Sequence, residues 1–136
     1  MMRNSLCLLA DNATASWGHI LPALTGCGLD LWTAKSAEAC LSDRRSNEML
    51  CLIVDLPFER AETCLEILRS SKVRSPAILI ADPEEVRLRR SNADWIDILE
   101  RPVSIRLLLE WVECVCTAHI ALQRARSLPG LFPRAA

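Results

Sequence analysis

Four apolar runs in this 136-residue chain each stop at an acid. Leu6–Ala10 ends at Asp11-Asn12 and Met49–Val54 ends at Asp55. Pro76–Ala81 ends at Asp82, and Ile96–Leu99 runs into Glu100-Arg101-Pro102. Carboxylate and amide oxygens gathered in one crevice are the ligands that hard cations such as Mg²⁺ prefer. Asp11, Asn12 and Asp55 are therefore the candidate metal-binding residues, and Mg²⁺ is the cofactor such a site would take. Whether they converge depends on the elements that carry them.

The first three runs are short and continuously apolar, the pattern of strands buried on both faces of a parallel sheet, and Ile96–Leu99, interrupted by Asp97, reads as a further strand. Leu29–Thr33 reads as a further strand. Between the strands the period changes. Trp17, Ile20, Leu21 and Leu24 fall on one face of a helix, which Pro22 should kink. Ser36 is placed to cap a short helix over Ala37–Leu41, and polar Ser42–Asn47 reads as a loop. Pro57 and Glu59 open a helix with Ala61, Cys64, Leu65 and Leu68 on one face. Pro83-Glu84-Glu85 suits a first helical turn, with acids near the positive end of the dipole. That fourth helix is short and basic, with Arg87, Arg89 and Arg90. Ser104 caps a long final helix. Five β-α units without hairpin signals imply an α/β three-layer sandwich, a flavodoxin-like (βα)5 fold with parallel strand order 2-1-3-4-5. In that order the first and third strands are neighbours. Asp11, Asn12 and Asp55 then meet outside their carboxyl ends, where such sheets bind ligands.

Composition narrows the function. The chain is 51% hydrophobic and 24% charged, enough for a core, and its net charge is −1. No run of Lys or Arg exceeds two residues, so direct binding of nucleic acid is not expected. Leu6–Ala10 is too short for a membrane span or a signal-peptide core, and a soluble, cytoplasmic protein is expected. The seven cysteines (7, 27, 40, 51, 64, 114 and 116) sit mostly in apolar segments and show no metal-knuckle spacing. They read as reduced, buried thiols, and His19 and His119 as isolated histidines. No nucleophile–base pair or Gly-rich phosphate loop marks an enzyme: Gly26-Cys27-Gly28 precedes a strand, not a helix.

The segments Leu8-Leu9-Ala10-Asp11-Asn12, Leu52-Ile53-Val54-Asp55, Ile78-Leu79-Ile80-Ala81 and Glu100-Arg101-Pro102, in this order and at these intervals over about residues 4–122, resemble the landmark blocks of response-regulator receiver domains. The resemblance implies phosphoryl transfer to an aspartate in two-component signalling, with Mg²⁺ held by an acidic pair. Carried over by position, it makes Asp55 the phosphoacceptor and Asp11 the first metal-binding acid. Asn12 stands where a second acid is usual. Ala81 occupies the switch position of a Ser or Thr whose hydroxyl follows the phosphoryl group. Arg101 replaces a Lys, keeping the charge on a bulkier planar group. Pro57 lies only two residues past Asp55. These departures point to a pseudo-receiver. A switch requires a ligand that interacts differently with two states, and the missing hydroxyl removes much of that difference.

The final helix carries two apolar seams: Leu108, Trp111, Val115, Ala118 and Leu122, and Ile105, Leu109, Val112, Cys116 and Ile120. One should face the sheet, leaving the other for a partner. Extending to Arg126, the helix would run about 34 Å and overshoot the sheet. Trp95, Leu108, Trp111, Val115 and Leu122 are the interface candidates, for a homodimer or a protein partner docking on the fourth and fifth helices. A sensor kinase is the further partner the resemblance implies. Residues 1–126 are read as the receiver-like domain and 127–136 as a tail. The expected function is a regulatory module acting by protein–protein contact, standing alone or serving as the N-terminal part of a bacterial transcription regulator. The alternative is a working phospho-receiver using Asp55 and Mg²⁺. A small enzyme on the same fold is the reading least supported.

Overall fold

In a computed structural model, residues 5–12, 17–26, 28–88 and 93–126 are described. Five strands, β1 (Ser5–Ala10), β2 (Asp30–Ala34), β3 (Met49–Asp55), β4 (Ala77–Ala81) and β5 (Asp97–Glu100), form one parallel sheet ordered β2-β1-β3-β4-β5. The helices are α1 (Leu21–Thr25), α2 (Ala37–Ser42), α3 (Phe58–Ser70), α4 (Pro83–Leu88) and α5 (Ile105–Arg126), with a 3-10 turn over Arg44–Glu48. This is the flavodoxin-like arrangement expected from the sequence.

The continuous apolar runs split by period two into two cores. Cys7, Leu9, Leu52, Val54 and Leu79 face one side and pack with Cys40 of α2 and Ala61, Leu65 and Leu68 of α3. Leu6, Leu8, Ile53, Ile78 and Ile80 face the other and meet Trp17, Leu24 of α1, and Leu108 and Val112 of α5. Both faces of β1, β3 and β4 are thus covered, which is why these strands carry no polar alternation.

Local signals mostly act where the sequence places them. Ser36 caps α2 by accepting from the Ala39 N–H at 3.1 Å. Ser104 accepts from the Leu107 N–H at 3.3 Å, and Pro83 opens α4. Three expectations change. The kink expected at Pro22 is a break: the helical path is interrupted over residues 18–20, and Pro22 sits in the first turn of α1, where a proline has no hydrogen bond to lose. Trp17, which is helical, and Ile20, in the turn before α1, join the same core as Leu24. The polar stretch read as a loop is the 3-10 turn, opened by Asp43 accepting from the Arg45 N–H at 2.9 Å.

The two seams of α5 do not separate. Leu108 and Val112, one from each, are fully buried against the sheet. Ile105, Leu109, Trp111, Val115 and Cys116 flank them, half-buried. A helix packed on a sheet needs a stripe at least about 100° wide, and this one draws on both seams. Leu108 is therefore core and not interface, a correction to the expectation. Leu122, two turns beyond Val115, is 43% exposed. Among the described residues no helix is long and apolar enough to cross a membrane. The expected basic residues Arg89 and Arg90, Cys27 and the tail 127–136 lie outside the described residues.

Candidate functional site

The carboxyl ends of β1, β3 and β4 open onto a crevice of about 880 Å³, lined among others by Asp11, Asn12, Trp17, Asp55, Asp82 and Arg101. Strand register puts Ala10 opposite Asp55, so Asp11 and Asp55 emerge side by side, as the sequence suggests.

Asp55 is the centre of the arrangement. Its side chain is 13% exposed, and both carboxylate oxygens are engaged. Arg101 Nη2 donates to Oδ1 in a close ion pair. The Trp17 indole N–H donates to Oδ2 at 2.6 Å. Arg101 reaches Asp55 because β5 lies beside β4 and the Arg101 N–H bonds the Ala81 carbonyl at 2.9 Å. Its other terminal nitrogen, Nη1, lies 3.3 Å from Asp82 Oδ1 and 4.0 Å from Glu85 Oε1. One guanidinium therefore ties together the ends of β3 and β4, the first turn of α4 and the segment after β5. Burial pulls the Arg101 pKa down, but the bond to Asp55 and the charge of Asp82 more than offset it and hold the group above its ordinary value.

Asp11 points elsewhere. It is exposed and forms a bidentate pair with Arg60 of α3, both contacts at 2.8 Å. The Arg60 hydrogen bond holds its carboxyl below the usual range. Asn12 lies exposed on the crevice wall. Ala81, at the switch position, is buried and presents only a methyl group.

This donor set does not fit Mg²⁺. A hard cation requires oxygen lone pairs with net negative charge around them. Here the Arg60 and Arg101 guanidiniums already balance Asp11 and Asp55, and two N–H groups point at the Asp55 oxygens. Among the described residues no three His, Cys, Asp or Glu side chains are grouped so as to hold a metal ion.

Sequence reasoning found Asp11, Asn12, Asp55, Ala81 and Arg101 but missed Trp17, Arg60, Asp82 and Glu85. Trp17 reads as a core residue from its helical spacing, and its ring is indeed buried. Only tertiary structure reveals that its one polar atom reaches Asp55. Of the proposed interface residues, Trp95 is half-buried and donates its indole N–H to Glu62 at 2.9 Å. Trp111 and Val115 pack on the sheet's flank, and Leu122 is exposed.

Neither a protein-family profile nor a curated protein sequence matches the chain. Solved structures do. The response regulator StyR superposes with a TM-score of 0.71 at 20% identity, covering 93% of this chain and 65% of that one. A response regulator from Chloroflexus aurantiacus gives 0.67 at 20% identity, covering 84% and 98%. A member of a family of streptococcal redox sensors evolved from two-component response regulators gives 0.68 at 16% identity, covering 98% and 59%. The fold is that of a receiver domain. In that fold Asp55 occupies the carboxyl end of the third strand, with Arg101 and Trp17 each bonded to one of its carboxylate oxygens.

Proposed function

We propose that this chain is a regulatory signalling module of the receiver type that works by protein–protein contact, with its Asp55 crevice held in one state. The observation that carries this reading is the double engagement of Asp55 by Arg101 and Trp17. Phosphorylation of an aspartate needs one carboxylate oxygen free to attack and the other free for a cation. Both are occupied by groups belonging to the protein. The positive charge that a phosphorylated site must recruit is already in place on Arg101. Ala81 supplies no hydroxyl to register a change. With no ligand that distinguishes two states, the fold has nothing to switch between.

The output surface in this reading is the side formed by α4, β5 and α5. Ile96 is 55% exposed, Leu107 51% and Leu122 43%, each a large apolar side chain in water. A second copy or another signalling protein docking there is the interaction proposed.

The test uses the tryptophan already bonded to Asp55. Fluorescence is followed while Mg²⁺ and then beryllofluoride, a mimic of an aspartyl phosphate, are added. The expected result is no saturable change. A saturable, Mg²⁺-dependent change that disappears in a folded Asp55→Asn variant overturns the proposal and establishes a working phospho-receiver.

A further inference from the structure

Apolar contact anchors α4 only thinly. None of its described side chains is fully buried, and among them Val86 alone packs on the core, half-buried. Burial of apolar surface is the main force that fixes a helix in place. Where it is scarce, local stability is low and polar contacts decide where the helix sits.

Those contacts converge on one side chain. The Asp82 N–H donates to Glu85 Oε1 at 3.3 Å, and the Val86 N–H donates to the Asp82 carbonyl at 3.1 Å, so the two acids frame the helix start. Arg101 Nη1 meets both carboxylates, while Nη2 of the same guanidinium is bonded to Asp55. A guanidinium is planar and rigid, so its two arms move as one body. A cation at a helix N-terminus opposes the helix dipole, and the acids around Arg101 are what hold it there. The other partner of Asp55, Trp17, packs in the core on the opposite face of the sheet from Val86. The route from Asp55 to α4 therefore runs through Arg101.

On the reading of Asp55 as held by its own chain, we infer that Arg101 is a positioning residue, a rigid link through which the state of Asp55 sets the placement of α4 and with it the output side.

The test compares variants of the full chain by their amide and indole chemical shifts. Asp55→Asn in the parent should shift the Trp17 indole N–H and the amides of residues 84–88. In an Arg101→Met background the same substitution should still shift the indole but leave 84–88 in place. The reverse direction uses polar residues outside the core. Asp82→Asn with Glu85→Gln should shift the Trp17 indole in the parent and not in Arg101→Met. Arg101→Lys separates charge from span, because one ammonium balances Asp55 but offers no second arm to Asp82. Its Trp17 indole should stay near the parent position while transmission to 84–88 is lost. In Arg101→Met the Val86 amide should exchange with solvent about threefold faster, the scale of a part-exposed ion pair. Equal shifts at 84–88 with and without Arg101, or an unmoved indole in the Asp82→Asn, Glu85→Gln variant, overturn the inference while the hold on Asp55 stands. An indole indifferent to Asp55→Asn overturns both.

Discussion

Asp55 shows how much a single side chain's function depends on what its two oxygens touch. Replacement by Asn is ordinarily a mild change at a solvated strand end. Here Arg101 and Trp17 present two N–H donors to two acceptors. An amide has one acceptor oxygen, so its NH₂ group must face a donor whichever way it turns. Asp55→Asn should therefore destabilise by about 2 kcal/mol or more, read from urea unfolding. A loss near zero would mean the two donors are satisfied by water instead. Trp17→Phe keeps most of the buried ring but removes the indole N–H. It should lower stability by about 1.5–3 kcal/mol, the range for a hydrogen bond to a charged group, in the same assay. The sequence marks Asp55 through the strand order that brings it beside Asp11 and through its match to the receiver phosphoacceptor position. It does not show Trp17 as its partner, since 38 residues separate them and the helical spacing of Trp17 already accounts for it as core.

At the level of elements, the junction between α2 and β3 is held by charge. Asp43 accepts three bonds from Arg45: from its backbone N–H at 2.9 Å, its Nε at 3.0 Å and its Nη2 at 2.8 Å. The Arg45 guanidinium also lies 4.9 Å from the Trp32 ring centroid, over the edge strand β2. The side-chain bonds from Arg45 lower the Asp43 pKa to about 2. A carboxylate with a depressed folded-state pKa adds stability that is present above its unfolded value, about 3.9, and lost as pH falls through the folded one. The urea midpoint should thus fall between about pH 4 and pH 2. Asp43→Ala should flatten that part of the profile, and an unaltered slope would assign the acid loss to other groups. The final helix divides in a different way. Leu108→Ala should cost about 2–5 kcal/mol because it empties a fully buried site. Leu122→Ala, at an exposed position, should stay within about 0.5 kcal/mol. The sequence displayed both seams of α5 but not their merger, because the rotation of a helix on a sheet is set by the sheet's shape. It also showed the reach of the helix to Arg126, since length follows directly from residue count.

Across the whole molecule, strand order was legible because doubly buried strands have a distinctive composition. Short apolar runs without alternation, bounded by turn signals, suit interior strands of a parallel sheet, and five β-α units leave few ways to connect them. The crevice residues follow from that order. Side-chain pairings such as Asp11 with Arg60, 49 residues apart, do not, since surface charges have many candidate partners. The exposed Leu107 and Leu122 make a prediction at this scale. Sedimentation of a Leu107→Ser, Leu122→Ser double variant should show weaker self-association or partner binding than the parent chain, with unfolding unchanged. Identical sedimentation and partner binding would remove α5 from the proposed output surface.

The grip of Arg101 and Trp17 on Asp55 also bears on time. An acyl phosphate hydrolyses, so a signal written on an aspartate fades and must be rewritten. A carboxylate held by two side chains of its own chain has no such clock. Under the proposed function, the message is complete once the polypeptide has folded. What a cell can then adjust is the number of copies, because occupancy of the partner follows concentration by mass action. Synthesis and degradation take the place of kinase and phosphatase.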